Sequence, residues 1–359
     1  MFLLPKKEKR NSHIWWRRIT QFDFPPFFLQ KKQKYARMKR EISKNKNMTI
    51  QEIFDLGVKI GIKNDFRTKK EIDEYLKRQK ENYEKLPKEE KDFFDKEKLI
   101  NPYSDTRIHF KGGKKEIKKV FAGIDITPGS IYIADELGAD LVLNHHPIGL
   151  ALAGLDDVMN YQIDQLEKIG VPVNIAEKLM HIRISEVARG VNPANHYITV
   201  DAAKLLKINL INIHTPGDNC AAIFLDKIIK KNNPRYVSDI LDLLLEIPEY
   251  REAKKQGAGP VLFSGDKNNR CGKIAVSEIT GGTEGSREIY GALANAGIGT
   301  VIAMHQSEEH RKAAEAAHIN VVIAGHISSD SLGMNIILDE LEKKGLEIIP
   351  FGGLIRVKR

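Results

Sequence analysis

The chain is poor in cysteine: 359 residues contain two, Cys220 and Cys271. Two thiols make no disulfide framework, and the scarcity fits a reducing cytosol. A chain of this length buries a sizeable core instead, and has room for two ordinary domains. Long apolar runs are also missing. None reaches the ~18 residues of a membrane span, and the opening MFLLPKKEKR is too short in apolar residues for a secretory signal. No glycine pattern has P-loop or dinucleotide spacing. The nearest, Gly281-Gly282-Thr283-Glu284-Gly285-Ser286, is a strand-to-helix turn. Its N–H groups suit a phosphate, or it simply packs a helix close to a sheet.

What is present is globular in composition, 42% hydrophobic and 29% charged, with a formal net charge of +9. The excess charge is local. Residues 1–47 hold 14 Lys/Arg against 3 Asp/Glu, so residues 48–359 are nearly neutral. Trp15-Trp16-Arg17-Arg18 and the basic run Lys31–Arg40 could meet nucleic acid or an anionic membrane. The plainer reading is a disordered extension or an over-extended start. The neutral body argues against nucleic acid as its ligand.

Five segments follow from the patterning: the basic extension 1–47, a helical region 48–113, a first α/β lobe 114–226, a short connection 227–265 and a second α/β lobe 266–359. Thr49 and Glu52 form a capping box for a helix over 50–60, with Gly61 as its stop. Residues 69–98 read as solvated helices joined by a turn at Pro87. Lys119–Ile124 is a buried strand, and Thr127-Pro128 opens a helix that Gly138 closes. Strand 140–143 follows, then helices over 154–169, 174–190 and 201–207, and strand 210–213. The second half repeats the theme: strand 273–276, helix 285–297, strand 300–304, helix 308–317, strand 320–324, helix 331–344 and strand 347–350. Strand, helix, strand is the unit of a mostly parallel sheet covered by helices.

Four of these strands end in histidine: Asn144-His145-His146, Ile213-His214, Met304-His305 and Gly325-His326. In open α/β sheets ligands gather beyond the carboxyl ends of strands. Pro147 stops the ladder after the vicinal pair. Asp218 stands four residues after His214 in HTPGD, and Asp330 four after His326 in GHISSD. Imidazole and carboxylate without thiolate suit Zn, Fe, Mn or Co. Adjacent residues of an extended segment face opposite ways, so His145 and His146 fit one ion each, with Asp218 between. Asp125 reads as a turn residue. Glu177 and His181 share a helical face and read as structural.

In this order and spacing ADLVLNHHPIG, INIHTPGD and VVIAGHISSD resemble the Nif-three-like dinuclear-metal family, also called GTP cyclohydrolase 1 type 2. The resemblance covers residues 114–359. It implies an α/β fold of three αβα layers in two related lobes, with the metal site in the cleft between them. By correspondence with the family motifs it makes His145, His146, Asp218, His326 and Asp330 ligands of two divalent transition-metal ions, Zn, Fe or Mn. His214 becomes a proton shuttle or an orienting residue behind the ligands. Asp330 replaces the family's glutamate and is one methylene shorter, so monodentate or water-mediated binding is expected there. Pro216-Gly217 replaces Asn-Leu, and Ser307-Glu308-Glu309-His310 stands where the family often has two histidines. Family members form dimers and ring-shaped hexamers, and some carry an inserted domain for which 227–265 is too short. The implied activity is a cytoplasmic metal-dependent hydrolase acting on a nucleotide. The alternative is a non-catalytic metal-binding regulatory or scaffold protein.

Overall fold

A computed structural model describes residues 47–359. The readings made for the basic extension lie outside the described residues, apart from Asn47.

The elements run in chain order as α1 (Ile50–Lys63), α2 (Lys69–Lys85), α3 (Lys88–Lys91), a 3-10 turn (Lys96–Leu99), β1 (Arg107–Phe110), β2 (Lys119–Gly123), α4 (Pro128–Glu136), β3 (Leu141–Asn144), α5 (Gly149–Ala153), α6 (Leu155–Val158), α7 (Tyr161–Ile169), α8 (Val173–Val191), α9 (Ile198–Leu206) and β4 (Asn209–Asn212). They continue as α10 (Thr215–Asn232), α11 (Val237–Glu246), α12 (Pro248–Lys255), β5 (Val261–Ser264), β6 (Lys273–Glu278), α13 (Ile289–Asn295), β7 (Ile298–Ala303), α14 (Glu308–Ala316), β8 (Asn320–Ile323), α15 (His326–Lys343) and β9 (Glu347–Phe351).

Two sheets result, with orders β1-β4-β3-β2-β9 and β5-β8-β7-β6. In each, the first strand pairs antiparallel at the edge and the rest are parallel. Each lobe thus lays its first strand beside its fourth, then its third and second, which makes the two lobes related. Sheet membership crosses the segment boundaries read from the sequence: β9 returns to the first sheet, and β5 joins the second.

Alternation along the strands shows the layering. On the first sheet Phe121, Val142 and Leu210 pack under α4 and α9, through Ile131, Ala134, Val200 and Ala203. Val120, Leu141, Leu143 and Ile211 point the other way, onto α1 and α15. On the second sheet Val276, Ile302 and Val322 meet α10, α11 and α12. Ala275, Val301 and Val321 face α7, α8, α13 and α14. Each lobe is therefore an αβα stack, and the two stacks share the helical layer that contains α10 and α15.

The Thr49–Glu52 capping box and the Thr127 cap with Pro128 in the first turn form as read. Several helix expectations are corrected. Gly61 is no stop: α1 runs to Lys63, and Gly61 is buried where a Cβ would stand 2.5 Å from the Pro216 side chain. The 154–169 helix breaks into α6 and α7. The helix expected from Ser331 begins at His326, a turn earlier, because Gly325 turns the chain at φ +116° and its carbonyl accepts the Ser329 hydroxyl at 2.6 Å.

Candidate metal centre

The chain bends at the vicinal histidines just past the end of β3. The His145 and His146 amides donate to the carbonyls of Gly123 and Ile124 at 2.9 and 3.1 Å. Their rings therefore lie on one side, with centroids 5.3 Å apart, rather than on opposite faces; His145 is fully buried, while the His146 side chain keeps 23% exposure. His145 Nδ1 lies 2.9 Å from the Ile213 carbonyl. A carbonyl only accepts, so Nδ1 carries a ring proton and Nε2 is the atom turned into the interior.

Two helix starts face it. α10 carries His214 and Asp218 one turn apart, and α15 does the same with His326 and Asp330. These helices cross with almost no gap: a Cβ on Gly333 would lie 2.1 Å from the Gly217 carbonyl oxygen. The crossing brings the two aspartates to the same histidine. His145 Nε2 stands 3.2 Å from Asp218 Oδ1 and 3.6 Å from Asp330 Oδ1. Asp330 Oδ2 lies 3.3 Å from His146 Nε2 and 3.6 Å from His326 Nε2. Asp218 Oδ2 lies 3.7 Å from His214 Nε2.

Three sets of donor atoms converge: His145, His146 and His214; His146, His326 and Asp330; and His145, Asp218 and Asp330. All six residues singled out in the sequence therefore come together. Two details differ from expectation. Asp330, not Asp218, spans the vicinal pair, with one oxygen toward each ring. His214, expected as a proton shuttle or orienting residue, offers a ring nitrogen to the cluster beside His145 and His146.

Two carboxylates escaped the sequence reading. Asp125, read as a turn residue, has its Oδ1 2.7 Å from His146 Nδ1. Asp105 has its Oδ2 2.7 Å from His214 Nδ1 and accepts the Thr215 hydroxyl at 2.6 Å. A carboxylate on the far ring nitrogen fixes the tautomer and aims the other lone pair. No local motif marks either residue, since each is joined to its histidine only by the fold. Glu177 and His181 are exposed on α8, outside the cluster.

The electrostatics call for a cation. Asp218 and Asp330 are buried, and among the described residues their charged partners are histidines alone. Burial pulls the His145 and His146 imidazoliums down, but the carboxylates outweigh it. Asp330 and Asp218 hold His145 well above the usual range, and Asp125 and Asp330 push His146 up to about 9. Burial likewise disfavours the Asp330 carboxylate, and the two imidazoles outweigh it, holding its pKa far down. His326 moves the other way, lowered chiefly by burial. Among the described residues, His145 Nε2, His146 Nε2, Asp218 Oδ1 and both Asp330 oxygens are shut from solvent without a well-formed hydrogen bond. Buried polar atoms that converge unpartnered are costly. Such a set of His and Asp donors can hold metal ions.

Beside the cluster a small cleft of about 30 Å³ is lined by His214, Asp218, Glu278, Glu284, His305 and His326, with the 279–285 loop as its wall. Gln162 ties that loop, donating to the Gly281 and Thr283 carbonyls at 2.7 Å each. Thr280 binds it to α10 by donating to Asn219 Oδ1 at 2.7 Å. The helix after the loop starts at Ile289, later than the sequence suggested.

Among the described residues no helix is long and apolar enough to cross a membrane. None of the curated proteins searched matches the chain. Among solved structures, a NIF3 superfamily protein from Sphaerobacter thermophilus is similar at 25% identity and a TM-score of 0.65, over 86% of this chain and 99% of that one. Reduced HcgD from Methanocaldococcus jannaschii matches at 17% identity and a TM-score of 0.44, over 66% of this chain and 84% of that one. TTHA1606 from Thermus thermophilus matches at 15% and 0.41, over 68% and 86%. The model of the Duf34/NIF3 (NGG1p interacting factor 3) family matches residues 108–351, and the chain belongs to that family.

Proposed function

We propose that the protein is a dinuclear-metal-dependent hydrolase of the GTP cyclohydrolase 1 type 2 kind, acting on a nucleotide. His145, His146, His214, Asp218, His326 and Asp330 hold two divalent transition-metal ions, Zn, Fe or Mn. The observation that carries the reading is the set of five buried donor atoms, on four side chains, that converge without hydrogen-bond partners. Paired ions supply Lewis acidity and activate water at neutral pH.

The protein's own residues do the rest. Asp105 and Asp125 keep His214 and His146 in the ligand tautomer. The Ile213 carbonyl does this for His145 without adding charge. His214 is accordingly assigned as a ligand rather than a proton shuttle. The cleft beside His326 receives the substrate, and the loop held by Gln162 forms its wall. Cys220 and Cys271 are buried free thiols, which suits a reducing cytoplasm, and self-assembly as a dimer or ring hexamer goes with the family reading.

Incubation of Zn-, Fe- or Mn-loaded protein with GTP tests the reading. Formate release that stops when the metal is removed supports it. No turnover of GTP or other nucleotides with any of the three metals overturns it in favour of a metal-binding regulatory protein.

A further inference from the structure

The cleft contains two carboxyls that the metal cluster does not use, Glu278 and Glu284. Glu284 is engaged by His305 and by the Ser307 amide. Glu278 ends β6 and lines the cleft together with His214, Asp218 and His326. Its Oε2 accepts the Tyr290 hydroxyl at 3.0 Å. Tyr290, fully buried on α13, in turn accepts from Gln306 Nε2 at 2.9 Å. This relay fixes the carboxyl by one oxygen. The other, Oε1, is shut from bulk solvent and has no hydrogen-bond partner among the described residues. A single free oxygen serves poorly as a bidentate reader of a base edge, and well as a seat for one proton.

Resting on the hydrolase reading above, we infer that Glu278 is the catalytic residue that accepts and returns the proton moved in hydrolysis, at Oε1. As water adds to the electrophilic carbon, a C–O bond forms and a water proton passes to Oε1. As the C–N bond breaks, Oε1–H returns that proton to the departing nitrogen. One water is consumed and nothing is oxidised or reduced.

The surroundings suit the task. Burial pushes the Glu278 pKa up, against the Tyr290 hydrogen bond and the charge of His310. Glu284 raises it further, and His305 opposes. A general acid–base residue works best with its pKa near the operating pH. Tyr290 is a positioning residue here. Its hydroxyl favours the carboxylate, so its loss moves the Glu278 titration to higher pH.

The test uses the metal-loaded full chain, its E278Q, E278D and Y290F variants, and three readouts: metal content, kcat across pH and infrared carboxyl bands. Expected are unchanged metal content in all variants, a kcat loss of about 100-fold or more in E278Q, and partial recovery in E278D. Y290F should shift the Glu278-dependent pH limb upward. The infrared difference between wild type and E278Q should contain a protonated-carboxyl band that titrates above the ordinary carboxylate range. Full kcat in E278Q with intact metals, or an ordinary titration, overturns the role of Glu278 while leaving the hydrolase standing. An inactive wild type overturns both.

Discussion

Gly333 of α15 rests directly on the carbonyl of Gly217 of α10, where a Cβ would stand 2.1 Å from the oxygen. This contact brings Asp330 and Asp218 to a common histidine. Gly333→Ala must push the helices apart. The expected outcome is a loss of about 1–3 kcal/mol in urea unfolding, in the range of overpacked cores, together with weakened metal binding. Unchanged metal affinity in a folded G333A protein would remove the crossing from the account.

Asp125 and Asp105 aim the lone pairs of His146 and His214 without entering the cluster. Asp125→Asn and Asp105→Asn are each expected to weaken metal binding by roughly 10–100-fold, measured by competition with a chromophoric chelator. Asp125→Asn is the cleaner of the two, because Asp105 is fully buried and also holds Thr215.

The donor residues were legible because their chemistry is written locally: a histidine at a strand end, and an aspartate one helical turn on. The capping box at Thr49 and the Thr127-Pro128 start were legible for the same reason. Asp105 and Asp125 were not, since each meets its histidine across tertiary space, over 109 and 21 residues. The shared helical layer was hidden too. It depends on Gly61, Gly217 and Gly333 allowing close approach, and a glycine in a helical pattern reads as a breaker until its neighbour is known. Starting α15 at Ser331 missed the first turn, the one that places His326 beside Asp330.

Without an ion the cluster holds protons in the cation's place. His146 has its pKa raised to about 9 and His145 is held well above the usual range. Metal uptake at neutral pH must therefore displace protons. Calorimetry in buffers of different ionisation enthalpy should show proton release on binding, with affinity rising as pH increases toward about 9. The sign for stability is opposite in the metal-free protein. A raised histidine pKa stabilises fully below the unfolded value of ~6.5, and that contribution fades as pH rises through about 9. Chelator-treated protein should thus lose urea resistance over this window, and metal-loaded protein should lose less.

The central claim is that the six converging side chains hold a pair of ions. Elemental analysis of purified, metal-loaded wild type beside His145→Ala tests it most directly, because His145 Nε2 faces both aspartates. The account predicts about two transition-metal ions per chain in the wild type and a clear loss in a folded H145A variant. One ion or none in the wild type, or equal metal content in the variant, would contradict it.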